Sequence, residues 1–164
     1  MAEITGVLTN PNAFFSEKMQ DPIELKIPFL IVFVTALISG VSGYIMTNAV
    51  LANIPEASSF SSIAAIGGAI GAFISIFIMW LIYTGIFHGI SALLGGEGSF
   101  KRSLEVVGYG YIPTILSSIV GIVGIQSLAG NLQNINIEDS AAYAELIAAD
   151  PVLQAVSIIG IIFM

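Results

Sequence analysis

Three long stretches without a charged residue constrain this chain more than any other feature of its sequence. Residues 27–55, 57–96 and 106–137 contain no Asp, Glu, Lys or Arg. A helix needs roughly 20 predominantly apolar residues to cross the hydrocarbon core of a bilayer. The pattern therefore predicts an all-α membrane protein with the architecture of a polytopic helical bundle. A soluble helical core is the alternative, but its helices would have no polar face.

The overall composition supports this class and excludes several others. Only 9% of the 164 residues are charged, whereas a soluble domain has about 25%. The formal net charge of −7 argues against nucleic acid as a partner. The chain has no cysteine, which excludes disulfides and thiolate metal sites. The first 26 residues hold several carboxylates and lack the basic start and apolar run of a signal peptide.

The uncharged stretches predict three full spans and part of a fourth. We expect the spans at about residues 27–50, 66–94, 112–130 and 152–164. The second stretch is longer than one span requires, so two short spans are an alternative, although Gly67-Gly68 is its only turn signal. The fourth stretch is too short to cross a bilayer, which predicts a fragment or an early-terminating chain.

The leader, residues 1–26, is predicted to contain a short interfacial helix over residues 11–20. Asn10 would cap this helix and Pro11 would occupy its first position. One side of the helix would then carry Phe14, Phe15 and Met19, and the other side Glu17, Lys18 and Gln20. A solvated leader with a hydrophobic contact to the first span is equally compatible with the pattern.

The most distinctive segment lies between the second and third predicted spans. Ser99 is predicted to cap an amphipathic helix over residues 99–107, with Lys101, Arg102 and Glu105 among its polar residues. This helix would lie along the interface, so the chain must turn before the third span begins.

The turn is predicted at the sequence Gly108-Tyr109-Gly110-Tyr111, shortly before Pro113. The glycines would supply backbone freedom, and the proline suits the first turn of the next helix. We expect a kinked or non-helical residue between 108 and 112, with Tyr109 packed against the second span. A simple bend with two interfacial tyrosines is the alternative.

Small residues in the spans predict where helices contact one another. Ser39 and Gly43 form a pair at the spacing that allows close helix approach. Gly67/Gly71 and Gly85/Gly89 have the same spacing in the second span. Besides the lipid bilayer, the expected partners are other membrane proteins, or a second copy that associates through these glycine pairs.

No catalytic, cofactor-binding or metal-binding constellation is recognisable, so the sequence predicts no enzyme, no cofactor and no metal. His88 is the only histidine, and it is most simply interpreted as an interfacial residue near Trp80 and Tyr83 rather than a proton relay. The predicted spans contain no carboxylate for ion coupling. The Ser–His, paired-aspartate and zinc arrangements of intramembrane proteases are also missing.

The basic residues predict the orientation in the membrane. All four lie in the leader (Lys18, Lys26) or between the second and third spans (Lys101, Arg102). Positive residues favour the cytoplasmic side. We therefore expect a multi-pass protein of the cell membrane with its N-terminus and the 95–105 loop in the cytoplasm. The loops at residues 51–62 and 131–150, which have no basic residue, would lie outside.

The segment from Gly95 to Tyr109, followed by Pro113, resembles the Yip1-domain family of multipass membrane proteins. The opening Asn10–Phe15 also resembles short prokaryotic members. Gly108 and Tyr109 are the family motif residues that carry over. Eukaryotic members are implicated in trafficking and bind Rab-type GTPases, but their Asp-Leu-Tyr-Gly-Pro motif and long cytosolic N-terminal region are absent here, so that activity is not carried over.

The resemblance implies a single membrane domain over residues 1–164 that acts by interaction with proteins or lipids. The alternative is a small permease or channel component. That function would need polar side chains facing inward at the middle of the membrane. The candidates for such side chains are Thr35, Ser39, Ser42, Ser75 and Thr84.

Overall fold

The structure is a computed structural model that describes residues 4–52, 54–132 and 140–163. All regular secondary structure in these ranges is helical, which confirms the predicted all-α class. In chain order the elements are α1 (Gly6–Thr9), α2 (Pro11–Lys18), α3 (Lys26–Ala52), a 3₁₀ turn (Ser58–Phe60), α4 (Ser61–Leu93), α5 (Phe100–Tyr109), α6 (Ile112–Leu132), α7 (Ser140–Ala149) and α8 (Pro151–Phe163).

Three segments of the described chain are long and apolar enough to cross a membrane: Lys26–Ala52, Ser58–Leu93 and Phe100–Asn131. The prediction of three full spans is thereby confirmed. The second uncharged stretch forms one continuous helix, α4, rather than two short spans. Its 33 residues reach about 50 Å, against a hydrocarbon core of about 30 Å, so α4 must tilt or extend beyond the core.

Helix α3 is the centre of the bundle. It packs along α4 and α6, and α5 packs against both α3 and α4. Val32, Thr35 and Ala36 of α3 are fully buried. Helix α8 in turn packs on α6. Because α4 and α6 both flank α3, they border a space on the surface of α3.

Glycines bring α3 and α4 into close contact. A Cβ on Gly43 would lie only 2.8 Å from the Cβ of Ala72 and 2.8 Å from the carbonyl oxygen of Gly68. Gly68 itself lies against the Thr47 side chain. The predicted close-contact role of Gly43 is confirmed, because only a residue without a side chain fits there. Ser39, its predicted companion, instead lines a cleft with residues of α4 and α6.

The predicted glycine pairs of α4 do not take part in this packing. A Cβ on Gly67, Gly71, Gly85 or Gly89 would meet no atom of the described chain within 4 Å. The small residue that α4 uses against α3 is Gly68, one position along from Gly67. The glycine pairs therefore lie on a face of α4 that the described chain leaves uncovered.

Aromatic side chains extend the α3–α4 contact along the helices. Phe29 of α3 lies 5.8 Å from Phe77 of α4, and Phe33 lies 5.8 Å from Phe73, measured between ring centroids. The second pair is edge-to-face, a geometry that the ring quadrupole favours. Large aromatic rings therefore extend the α3–α4 contact beyond the part that is packed by small residues.

Asp150 joins the start of α8 to α6. One carboxylate oxygen accepts the backbone N–H groups of Val152 and Leu153. The other accepts the Ser127 hydroxyl at 2.7 Å and the Asn131 amide at 3.0 Å. These hydrogen bonds, above all the one from Ser127, hold the pKa of Asp150 below its usual value. Helix α7 (Ser140–Ala149) precedes α8 and packs against it.

Glycines in the α3–α4 contact and glycines on the uncovered face of α4 should respond differently in stability when each is replaced by alanine. Gly43→Ala should lower the free energy of unfolding by about 1–3 kcal/mol, because its new methyl group overlaps Ala72 and the Gly68 carbonyl. Gly71→Ala meets no neighbour and should be neutral or stabilise by up to about 1 kcal/mol through helix propensity. Unfolding of both variants in detergent tests this contrast, and equal effects would contradict the contact.

Candidate interaction site at the leader and α5

Capping residues position both helices of the site as the sequence predicts. The Asn10 side chain accepts the backbone N–H of Ala13 at 3.2 Å, with Pro11 at the first position of α2. The Ser99 side chain accepts the backbone N–H of Arg102 at the start of α5. Gly95, between α4 and α5, has a φ of 85°, the one positive φ in the described chain. Glycine is the residue that adopts this angle readily.

Glu105 is the residue that organises the site, and its side chain is fully buried. Its Oε2 accepts a hydrogen bond from Arg102 Nη1 at 2.6 Å. Its Oε1 accepts the backbone N–H of Glu24 at 3.1 Å and lies 3.6 Å from the Lys18 ammonium. We call Lys18, Arg102 and Glu105 the charge cluster.

The charge cluster fixes the leader against α5. The Arg102 guanidinium also donates to the backbone carbonyls of Lys18 and Asp21, at 2.9 and 2.5 Å. Arg102 thus contacts two leader residues, Asp21 and Lys18, that precede it in the sequence by 81 and 84 positions. Burying separate charges is costly, but short charge-assisted hydrogen bonds and opposite charges offset that cost. Lys18 also lies 3.8 Å from the Asp21 carboxylate, so the two cations face two carboxylates. This balance of charge allows the leader to pack against apolar helices.

The structure corrects the predicted faces of α2. Lys18 was expected on the polar side of the helix and Met19 on the apolar side. Instead, Lys18 is buried while the Met19 side chain is 56% exposed. The reason is tertiary: the buried carboxylate of Glu105 attracts the lysine inward. Glu105 was likewise expected on a polar face, and it is the functional candidate that the sequence reasoning missed.

An aromatic contact completes the junction. The ring of Tyr109 packs edge-to-face on Phe14, with centroids 5.1 Å apart, and the Lys18 ammonium lies 5.8 Å from the Tyr109 centroid. Tyr109 was expected to pack against the second span. Its ring partner is in the leader, and Trp80 of the second span belongs to the same buried cluster. The cation and the ring attract each other at this distance.

The corner between α5 and α6 exists, but the glycines act differently from the prediction. Helix α5 ends at Tyr109 and α6 begins at Ile112, so Gly110 and Tyr111 form the turn. Gly110 has a φ of −60°, which any residue adopts. Gly108 lies inside α5, where a Cβ would come within 2.6 Å of the Pro28 Cβ. Gly108 is therefore needed for close approach of α5 to α3, not for backbone freedom.

Two polar contacts hold α5 to α4. The Trp80 indole N–H donates to the Leu104 carbonyl at 3.1 Å. His88 Nδ1 lies 3.1 Å from the Ser103 hydroxyl, and its ring packs edge-to-face on Phe100. The single histidine thus has a structural partner at the end of the bundle that holds the charge cluster.

The structure brings together some of the sequence-predicted site residues and separates others. Arg102, Gly108 and Tyr109 meet at the leader junction, where they are largely buried. Tyr111 and Pro113 lie at the start of α6, Tyr111 buried and Pro113 half-buried. Lys101 and Gly110 are exposed. A surface for a partner would therefore present Lys101 rather than Arg102.

A cavity lies between the leader and the bundle, with a volume of about 440 Å³. Its walls combine apolar and charged groups: Ile4, Phe14, Lys18, Asp21, Pro22, Glu24, Ile27 and Tyr109. Within the described residues, no group of three or more His, Cys, Asp or Glu side chains is arranged to hold a metal ion. The chemistry available at this site is ion pairing, hydrogen bonding and apolar contact.

Three apolar helices long enough to span a bilayer, with a charge cluster at one end, define a multipass integral membrane protein. The chain belongs to the Yip1 domain family, whose model matches residues 5–164. It is 39% identical over 126 residues to an uncharacterized protein of Methanocaldococcus jannaschii, a match that covers 74% of this chain and 87% of that protein.

A second similarity is to a protein of Listeria monocytogenes named histidinol dehydrogenase. The identity is 29% over 119 residues, which covers 71% of this chain but 22% of that protein. So small a share of a longer protein does not carry the named activity to this chain. No solved structure matches the chain.

Removing the buried carboxylate should release the leader. In Glu105→Gln, Arg102 loses its carboxylate partner and Lys18 keeps only the Asp21 carboxylate, 3.8 Å from its ammonium. Removing one partner from a buried ion pair should cost about 3–5 kcal/mol. Trypsin cleavage after Lys18, measured on the detergent-solubilised protein, should accelerate strongly because the leader opens more often. Glu97→Gln, a change at an exposed carboxylate, is the control. Cleavage at the same rate in both variants would contradict a structural role for Glu105.

Gly108→Ala and Gly110→Ala distinguish close approach from backbone freedom. The first places a methyl group against Pro28 and should cost about 1–3 kcal/mol. The second places it 3.1 Å from the Val107 carbonyl oxygen in an ordinary backbone conformation, so its cost should be smaller. Thermal unfolding of the two variants measures the difference, and a larger loss for Gly110→Ala would show that the turn, not the contact, requires glycine.

Proposed function

We propose that this protein is a non-enzymatic membrane protein that acts by binding other membrane components, protein or lipid, at the face formed by the leader and α5. The charge cluster carries the proposal. It holds the leader on α5 with hydrogen bonds and ion pairs that surround a fully buried carboxylate. Such an assembly presents a fixed surface instead of a mobile tail.

The composition of the exposed surface supports this function. The exposed residues of the leader and the start of α5 include Lys101 and the apolar Phe100, Met19 and Ile23. Exposed cationic and apolar side chains on the same two elements suit the boundary between headgroups and acyl chains, or a partner bound there. The uncovered glycine pairs of α4, Gly67/Gly71 and Gly85/Gly89, offer a second surface, for another membrane helix or a second copy.

We propose that this face is cytoplasmic and that the protein lies in the cell membrane. Lys18 and Arg102 are both in the charge cluster, so the leader and α5 occupy the same end of the bundle. That end carries all the basic residues of the chain, and basic residues favour the cytoplasmic side. The 3₁₀ turn and the acidic segment before α8 would then face outward.

The orientation can be measured with single cysteines, since the chain has none of its own. Ser59→Cys, at an exposed position of the 3₁₀ turn, should react with a membrane-impermeant thiol reagent added outside intact cells. Lys101→Cys should react after the cells are opened, because its end of the bundle is cytoplasmic. The reverse labelling pattern would overturn the orientation.

The binding function is tested by photo-crosslinking in native membranes. A benzophenone amino acid at position 101 should give discrete adducts with one protein or one lipid species, while the same group at Ile119, an exposed position of α6, should give diffuse adducts with bulk lipid. Introducing Glu105→Gln should abolish the discrete adducts, because the leader no longer completes the face. Identical adducts at both positions, or adducts that persist in Glu105→Gln, would reject the proposed face.

A further inference from the structure

A cleft lined by hydroxyl groups lies between three of the membrane helices. Ser39 and Ser42 of α3, Ser75 of α4 and Ser118 of α6 line one cavity of about 380 Å³. We call these four residues the serine cleft. Its remaining walls are apolar and come from the same helices: Ala72, Ile76, Gly121 and Ile125. Since liquid water occupies about 30 Å³ per molecule, the cavity has room for several waters.

The cleft lies deep in the membrane region of the bundle. Ser39 and Ser42 are near the middle of the 27-residue helix α3, and Ser75 is near the middle of the 33-residue helix α4. The uncharged stretches that form these helices supply no ionisable side chain to the cavity. A ligand of this cleft would therefore be uncharged, because an ion at this depth would have no countercharge.

Hydrogen bonding distinguishes three hydroxyls of the serine cleft from the other hydroxyls of the spans. The fourth, Ser75, donates to the Ala72 carbonyl of its own helix at 2.8 Å. Thr35 and Thr84, both fully buried, donate to the carbonyls of Ile31 and Trp80 in their own helices. Ser117 donates to Thr114 in the same way. By contrast, the hydroxyls of Ser39, Ser42 and Ser118 have no hydrogen-bond partner in the described chain, and these residues are half-buried at the cavity.

Hydroxyls without partners are unfavourable at the middle of a membrane, since lipid tails offer no hydrogen bond. Three of them face one cavity from two helices, which points to a ligand that both donates and accepts hydrogen bonds. We propose that the serine cleft is hydrated and binds a small uncharged polyol. The inference goes beyond the binding face of the leader and α5 and does not depend on it.

Cysteine reactivity tests the hydration. Ser39→Cys, Ser42→Cys and Ser118→Cys change one atom each and retain the native shape. Each should react with methyl methanethiosulfonate about tenfold or more faster than Leu37→Cys and Ile119→Cys, which are 48% and 52% exposed on outer faces. The thiolate is the nucleophile, and apolar surroundings raise the thiol pKa, so each unit of that rise lowers the reactive fraction about tenfold.

Glycerol is the probe for the bound solute. It should slow the modification of Ser118→Cys more than that of Ser59→Cys, whose aqueous position corrects for viscosity. Equal slowing at both positions would overturn the proposal that the cleft binds a polyol. The proposal that the cleft is hydrated would be overturned if the three cleft cysteines were modified no faster than the outer-face controls. A disulfide between two copies at Ser42→Cys would also overturn it, because a second copy would then cover the cleft.

Discussion

The buried carboxylate of Glu105 is the interaction on which one end of the bundle depends. A charge in surroundings from which water is excluded is stable only when opposite charge and hydrogen-bond donors surround it. Here the donors come from Arg102 in the same helix and from the backbone of Glu24 in the leader, with the Lys18 ammonium nearby. Satisfying one carboxylate therefore fixes the positions of the leader, α5 and their shared face.

Elsewhere the helices are held together by close packing of their surfaces. Lipid tails are as apolar as the side chains, so burial from water gives little drive for two helices to associate within the bilayer. Close approach and polar contacts take its place. Gly43 and Gly68 let α3 and α4 approach closely, and Gly108 lets α5 lie against Pro28. The uncovered glycines of α4 belong to the same residue type, yet they contribute nothing to this packing within the described chain.

The two polar regions of the membrane domain differ in how their hydrogen bonds are satisfied. The carboxylate at the centre of the charge cluster receives its donors from the protein itself, which suits a structural role beneath a binding surface. The serine cleft presents three hydroxyls, those of Ser39, Ser42 and Ser118, that the described chain leaves unpaired. Such groups suit a ligand, because they gain a hydrogen bond only when something enters. Their locations, at one end and at the middle of the bundle, allow each to be altered separately.

The sequence by itself determined the class, the three spans, the caps at Asn10 and Ser99, and a break in the helix between residues 108 and 112. These features depend on neighbours within a few residues: uncharged runs, side chains that cap the next turn, and a break before Pro113. Tertiary structure alone decided that Glu105 and Lys18 face inward, that Gly108 serves a contact, and that Ser118 joins Ser39 and Ser42. Each of these features needs a partner far away in sequence, and local patterns of charge and periodicity do not specify which distant helix supplies it.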